Sequence, residues 1–574
     1  MSDSHRRSTP ARYGAGEPEA TARPGMGRSA TSPPAPTGPA AAPPSTTTQS
    51  PSGRGQRPGP DQPATRPAPL APPTGTPRPD RPEPGLPDSL RHTLWVWPAL
   101  ATLAVTLFEA NRAQLWRDEL ATWSVATRPT GDLVRVLGHI DAVTGPYYLL
   151  MHGWIRLFGD SVLSLRLPSV LATAGAAALL ALLGERLLGA RAGLVGGLLF
   201  AVVPSTSRYA QEARPYAFAG LFAVLATLAL VGAVRRPGWW RWIGYAAAVL
   251  GLGLSHLIAL SLLAGHAALI LLARRPRTAP TGGGSRGGDG GPWRPLLRWL
   301  VVLVPTLLLL TPLALVGRGQ QGRQLDWVDP SRLGDIPVLP GGVLQGSTVG
   351  GLVVGLALVG GLSRGRRGLA LGLCALLPAV LLYVGGLVSP LWVPRYLVFT
   401  VPFLCLLAGA VLAGLRMALA LVVVLAAGVV GVPEQQGLRH THEWPRSAEI
   451  DYRGAAEIIA VGRQPGDGIV YSPRTGWKFL DLGIAYQLGA HAPRDVLAVR
   501  GRRDRADLWV SECPQPASCL APVSRVWVLV TGRKGDPLQG MPAAKADPLR
   551  AGFDTDAVWH VPGLTLALLT RRGT

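Results

Sequence analysis

The sequence predicts a mainly α, polytopic transmembrane helix bundle of about eleven spans. A small extracytoplasmic α/β domain follows at its C-terminal end, and a disordered tail precedes it. Three observations carry this expectation. Long apolar runs recur between residues 92 and 432. Only 16% of the chain is charged against 48% hydrophobic, where soluble proteins carry about a quarter charged residues. Arginines also collect in alternate connections between the apolar runs, the pattern that orients a multi-span protein in its membrane.

Residues 1–90 are dominated by Pro, Ala, Gly, Ser, Thr and Arg, with no apolar periodicity. Such a segment buries too little apolar surface to offset its ordering entropy and is expected to be disordered. It is too long and too polar for a signal peptide. The net charge of +22 does not make the chain a nucleic-acid binder, because the basic residues are dispersed through the tail and the short loops.

Eleven apolar runs follow, at 92–109, 163–184, 190–208, 213–234, 241–255, 256–273, 296–316, 342–362, 368–388, 395–413 and 416–432. Most are long enough to cross about 30 Å of hydrocarbon as helices. With the N-terminus in the cytoplasm, Arg186 and Arg191, Arg235 and Arg236, the six arginines of 274–298, Arg364, Arg366 and Arg367, and Arg416 all fall inside. The alternation holds only if 241–273 is two helices; as one tilted helix it would invert everything after it. The outer face then receives 110–162, the turn at 209–212, His256, 317–341, 389–394 and everything from 433. Within 433–574, DYRGAAEIIAVGR has helical spacing, and GDGIVYSP, RVWVLVTG and LTLALLTRR have the character of strands. Residues 433–574 carry no GxGxxG phosphate-binding signature. The organisation is therefore a 1–90 tail, a 91–432 membrane module and a 433–574 outer domain.

The four cysteines divide along the same line. Cys374 and Cys405 lie in apolar spans as packing residues, whereas Cys513 and Cys519 lie six positions apart in an outer segment. A local disulfide between Cys513 and Cys519 is expected there, two free thiols being the alternative.

Candidate chemistry gathers at the outer ends of the spans. The first outer loop holds LWRDELATW, with Asp118 and Glu119, and then GHIDAVTGPYYLLMHGW, with His139, Asp141, Tyr147, Tyr148 and His152. The stretch PYYLLMHGWIRLFG has the pattern of an interfacial helix. The turn RYAQEARPYA supplies Tyr209, Gln211, Glu212, Arg214 and Tyr216. His256 sits in LSHLIAL, and SPLWVPRYLVF places Arg395 and Tyr396 at the mouth of a late span. Each has a plain alternative: solvated carboxylates, a helix-capping Glu212–Arg214 pair, a hydrogen-bonded core histidine, an interface anchor. Their convergence on one face from four separated segments favours a site, since ionisable groups at membrane depth are costly.

These segments, in this order, resemble the GT-C class of polyprenyl-phosphate-sugar glycosyltransferases. The likeness is to family 39, which contains protein O-mannosyltransferases and lipid A aminoarabinose transferases. It rests on WRDE, D-x-x-x-x-P-Y-Y, FGDSVLSLRLPS, YAQEARPYA and VPRYL, and spans about 92–400. The composition is similar to that of actinobacterial proteins. One departure stands out: many relatives carry two prolines before the tyrosine, and Thr144-Gly145-Pro146 keeps only one.

The resemblance implies an inverting transfer of a sugar, mannose by default, from a lipid phosphate to an extracytoplasmic protein or glycan. Asp118 would be the base, with Glu119 and Asp141 as further catalytic carboxylates. Arg214 and Arg395 would bind the donor phosphate, and His139, Tyr147, Gln211, Glu212, Tyr216 and Tyr396 would line the site. A divalent ion held by Asp141, Glu119 and His256 is a further expectation. The competing classes are a transporter or flippase of a lipid-linked substrate, which should show inverted repeats and mid-bilayer charges, and a non-catalytic scaffold.

Overall fold

The computed structural model describes residues 91–573 except 237, 274–292 and 444–448. The expected disordered tail and most of the arginine-rich 274–298 loop lie outside the described residues. All eleven predicted runs fall on helix, but their lengths differ from expectation. Among the described residues, five helices are long and apolar enough to cross a bilayer: Val162–Leu188, Tyr216–Arg235, Arg294–Gln324, Gly365–Val388 and Pro394–Leu412. Two bent pairs raise the number to seven if each is one span: Ala190–Val202 with Pro204–Ala210, bent by 66°, and Met417–Val430 with Val432–His440, bent by 43°. Both breaks coincide with a proline at the start of the second helix, where the ring removes a backbone donor and clashes with the preceding turn. Val96–Leu107, Leu257–Leu272 and Ser347–Ser363 are shorter apolar helices. At 1.5 Å per residue, the twelve residues of Val96–Leu107 reach about 18 Å, well short of a bilayer.

Leucines and valines cover the outside of these helices. On Arg294–Gln324 alone, Leu308, Leu309 and Leu315 are each about two-thirds exposed, as lipid-facing side chains are in a membrane-embedded protein. Between helices the packing relies on small residues. A Cβ built on Gly409 would lie 2.4 Å from the backbone nitrogen of Gly196, so Val401–Leu412 and Ala190–Val202 touch backbone to backbone.

The 241–273 segment forms two helices, Trp239–Ser255 and Leu262–Leu272, separated at an extended His256 and a short 3₁₀ turn. His256 comes to lie beside Tyr216 and Tyr396, so the elements on either side of the break share one face of the bundle.

The C-terminal residues build a five-stranded sheet in the order β2-β1-β5-β7-β6. Its strands are β1 (Gly468–Ser472), β2 (Arg494–Asp495), β5 (Arg525–Thr531), β6 (Phe553–Val561) and β7 (Leu564–Arg571). A separate two-stranded ribbon pairs β3 (Ala498–Arg500) with β4 (Ser511–Glu512). The helix Tyr452–Gly462 and strands β1, β5 and β7 lie where helical spacing and apolar runs predicted them. β1 is paired in parallel on both sides, by β2 and β5, and every one of its residues is buried, as suits a central parallel strand. A disulfide joins Cys513 to Cys519, while Cys374 and Cys405 are buried free thiols.

The sheet is not an isolated module. One continuous apolar core contains Leu115, Leu120 and Tyr148 from the first loop together with Tyr452, Ile469 and Leu529 from the C-terminal residues. Gln114 reinforces this contact: its amide donates to the Ile450 carbonyl at 2.6 Å and its oxygen accepts from the Arg453 backbone at 3.1 Å.

Gly409→Ala should therefore strain the backbone contact and cost about 1–3 kcal/mol. Gly351→Ala, in the Ser347–Ser363 helix with nothing within 4 Å of the added carbon, should be neutral or slightly stabilising. Thermal unfolding of the two purified variants checks the contrast.

Candidate functional site

A cleft of about 420 Å³ forms where the first outer loop, the 211–216 turn, the His256 break, the end of the Arg294–Gln324 helix and the 391–396 stretch converge. Of the candidate residues, Asp118, Asp141, Arg214, Tyr216, His256, Arg395 and Tyr396 all line it. Two loose ion pairs cross it: Arg395 to Asp118 at 3.8 Å and Arg214 to Asp141 at 3.9 Å. Both separations exceed a hydrogen bond, so each guanidinium is oriented by its carboxylate without being consumed by it. The Nε atoms of Arg214 and Arg395 are buried and have no hydrogen-bond partner among the described residues. The Arg395 guanidinium also lies 5.4 Å from the Trp327 ring, a cation–π contact.

Asp118 sits in the first turn of Arg117–Ala126, where a helix N-terminus favours negative charge. Asp141 adopts a left-handed backbone (φ 59°) just before the 3₁₀ turn Ala142–Thr144. Asp tolerates that region better than most residues. A dense set of donors holds its carboxylate: the Thr144 hydroxyl at 2.8 Å, the Tyr148 hydroxyl, and the Gln324 amide at 3.3 Å. The Tyr148 oxygen accepts in turn from Arg214 at 3.3 Å. Tyr148 is thus the tyrosine that reaches the carboxylate. Its predicted neighbour Tyr147 instead packs edge-on against Phe218, with ring centroids 5.9 Å apart.

Several predicted site residues have structural roles instead. Glu119 is fully buried and pairs with Arg166 through both carboxylate oxygens, at 2.9 and 2.6 Å, while accepting from the Ala213 backbone at 2.9 Å. Burial raises its pKa most strongly, but Arg166 and His442 outweigh it and hold the carboxyl well below the usual range. Consecutive helix positions point about 100° apart, so Asp118 faces the cleft and Glu119 the core. Glu212 pairs with Arg208 at 2.7 Å, not with Arg214, which is what leaves Arg214 to the cleft. Burial pushes the Glu212 carboxyl up to about 7, against the pull of Arg208. Gln211 donates to the carbonyls of Thr106 and Phe108, both at 2.8 Å, and ties down the end of Val96–Leu107. His139 is exposed and bonded to the Arg135 carbonyl at 2.8 Å, away from the cleft. His152 likewise bonds the Ala126 carbonyl.

The expected divalent-ion set does not assemble, because Glu119 is turned away against Arg166. Among the described residues, no three His, Cys, Asp or Glu side chains are arranged to hold a metal ion.

Sequence reasoning missed the polar end of Arg294–Gln324, where Arg318, Gln321 and Gln324 line the cleft. The signal was present as GRGQQGRQ closing an apolar run. Arg117, Trp477 and Phe479 were also missed. Counting its charged walls, the cleft has four arginines (117, 214, 318 and 395) against two aspartates (118 and 141), a surplus that suits an anionic ligand.

Removing one partner of the Glu119–Arg166 pair strands a buried charge. Glu119→Ala and Arg166→Ala should each destabilise by about 3–5 kcal/mol, and the double variant should lose much less than their sum. Thermal unfolding of the three proteins measures that coupling.

Residues 146–280 match the family model described as dolichyl-phosphate-mannose-protein mannosyltransferase. No curated protein sequence matches the chain. Among solved structures, apo ArnT from Cupriavidus metallidurans superposes with a TM-score of 0.55 at 14% identity, covering 83% of this chain and 98% of that one. The same protein bound to undecaprenyl phosphate gives 0.53 at 15% identity, with the same coverage. The matched segment contains the 211–216 turn and the His256 break. Residues 146–280 thus resemble that mannosyltransferase family, and the chain shares the fold of ArnT over most of its length.

Proposed function

We propose that this protein transfers mannose from a polyprenyl-phosphate donor to an extracytoplasmic acceptor hydroxyl, with inversion at the anomeric carbon. The observation that carries the reading is the pair of half-buried arginines whose buried Nε donors are orphaned, Arg214 and Arg395, in one cleft with Asp118 and Asp141. Phosphate chemistry fits such donors, since guanidinium–phosphate hydrogen bonds are charge-assisted and can be bidentate. The family match, with its dolichyl-phosphate-mannose description, and the undecaprenyl phosphate bound by the ArnT relative support a lipid-linked donor.

In the proposed displacement, the Asp118 carboxylate takes the proton of the acceptor hydroxyl as that oxygen bonds to the anomeric carbon. The bond from that carbon to the phosphate oxygen breaks, and its electron pair leaves with the polyprenyl phosphate. A phosphate leaving group needs positive charge more than a proton, and Arg214 and Arg395 supply it. Asp141, held by Thr144, Tyr148 and Gln324, orients Arg214. The N-terminus is cytoplasmic in this reading, and the cleft and the C-terminal sheet face outward.

Purified protein in liposomes with radiolabelled polyprenyl-phosphate mannose tests this directly, with the corresponding arabinose donor as comparison. Asp118→Asn should lower kcat by about 10²–10⁴-fold with little change in donor affinity; undiminished turnover would remove Asp118 as the base. Arg214→Lys keeps the charge but loses the planar fork, and should cost about 10²-fold in kcat/KM for the donor. Since the arginines neutralise the phosphate, EDTA should leave the rate unchanged. A loss restored by Mn²⁺ or Mg²⁺ would assign Asp118, Asp141 and His256 to a divalent ion instead.

A further inference from the structure

The cleft has one wall that the membrane helices do not supply. Trp477 and Phe479 line it, and both belong to the loop that leaves the C-terminal end of β1. That end has a particular topology. β1 lies between β2 and β5, which are both parallel to it and both later in the chain. The chain therefore departs from β1 to one side and returns on the other, which opens a crevice beyond the strand's carboxyl end, where open α/β sheets bind ligands.

The loop is built to hold aromatic rings in place. Phe479 has a left-handed backbone (φ 47°), an unfavourable region for an aromatic residue that persists only where its surroundings enforce it. The Phe479 ring is buried and stacks on Trp509 with centroids 5.5 Å apart, while Trp477 meets Trp509 edge-on at 4.9 Å. Trp509 donates its indole N–H to the Gly476 carbonyl at 3.3 Å and carries the Arg323 guanidinium 5.6 Å from its ring. Arg323 also pairs with Asp507 at 2.8 Å. The aromatic wall is thereby fastened to the Arg294–Gln324 helix, whose Arg318, Gln321 and Gln324 line the same cleft. Trp477 is only half-buried, so it retains ring surface that its neighbours do not cover.

We infer that Trp477, supported by Phe479 and Trp509, is the acceptor platform of this cleft, and that the acceptor it takes is a saccharide. The inference rests on the transfer reading of the preceding section. A sugar ring has an apolar C–H face and a rim of hydroxyls. An indole face set against amide and guanidinium side chains matches both. A peptide recognised by strand addition would need a free sheet edge, but β1, which carries the loop, is paired on both sides. The phosphate-binding arginines come from the 211–216 turn and the 391–396 stretch, whereas the platform comes from the C-terminal sheet. Donor and acceptor thus meet Asp118 from different walls.

The test uses full-length protein in lipid nanodiscs and reads binding without transfer. The probes are α-linked manno-, arabino- and gluco-oligosaccharides, a Ser/Thr-rich peptide, and polyprenyl phosphate. At least one oligosaccharide should slow hydrogen exchange across residues 473–481. Trp477→Ala should weaken that saccharide by about tenfold or more, Trp477→Phe should recover most of the loss, and polyprenyl phosphate affinity should move by less than about twofold in both. The platform is refuted if no oligosaccharide binds, if the peptide alone protects the loop, if saccharide affinity ignores Trp477→Ala, or if both variants lose both ligands equally. Failure of the transfer assay with this test passed would refute the proposed reaction, and the reverse result would refute only the platform.

Discussion

The geometry of the cleft hangs on the buried pair of Glu119 and Arg166. Beyond its two bonds to the carboxylate, the Arg166 guanidinium donates to the carbonyls of Ala110 and Ala113 at 2.8 and 2.9 Å and of Gln114 at 3.2 Å. Glu119 in turn accepts from the Ala213 backbone and lies 3.6 Å from His442. One ion pair therefore joins the 110–116 loop, the helix bearing Asp118, the Val162–Leu188 helix, the turn bearing Arg214 and the strand-like residues that lead toward the sheet. A buried pair is affordable only when its remaining donors and acceptors are satisfied, and here the backbone carbonyls of an irregular loop do so.

The cleft itself works on the opposite principle. Its ion pairs are long, at 3.8 and 3.9 Å, and the side chains of Arg214 and Arg395 keep 15% and 23% of their surface exposed. Charges fixed by a surrounding scaffold but incompletely paired with one another are already oriented when an anion arrives, so little reorganisation opposes binding or reaction. The scaffold carboxylates pair closely with arginines, at 2.6 Å for Glu119 and 2.7 Å for Glu212, whereas those of the cleft do not. That division separates Glu119, Gln211 and Glu212 from Asp118, Asp141 and Arg214, although the two groups are interleaved along the chain.

It also explains which parts of the site could be read from the sequence. Asp118, Asp141, Arg214, His256 and Arg395 stand out because polar groups beside apolar runs are costly unless they have a purpose. The same reasoning selected Glu119 and Glu212, since it cannot tell which of two adjacent carboxylates faces a cavity and which a buried arginine 47 residues away. Helices were legible from apolar runs, but span length was not, because Pro204 breaks the run 190–208 that composition alone leaves continuous. Trp477 and Phe479 were invisible as site residues. In sequence they are aromatic residues after a buried strand, the usual signature of core packing.

The placement of those two aromatics constrains how the site can form. The cleft is bounded by membrane helices and by a loop of the C-terminal sheet, and the contact between them is part of a single apolar core running from Leu120 to Ile469. Burial of that core is what brings Trp477 into the same cleft as Arg318. Charges hold the arrangement from several directions: Arg323 pairs with Asp507, Arg128 donates to the Asp507 carbonyl at 2.9 Å, and Arg117 lies 3.7 Å from Glu443. A cleft assembled from both parts exists only when both are folded and joined. Truncation before the sheet would therefore remove a wall of the cleft and expose the apolar surface of the first loop.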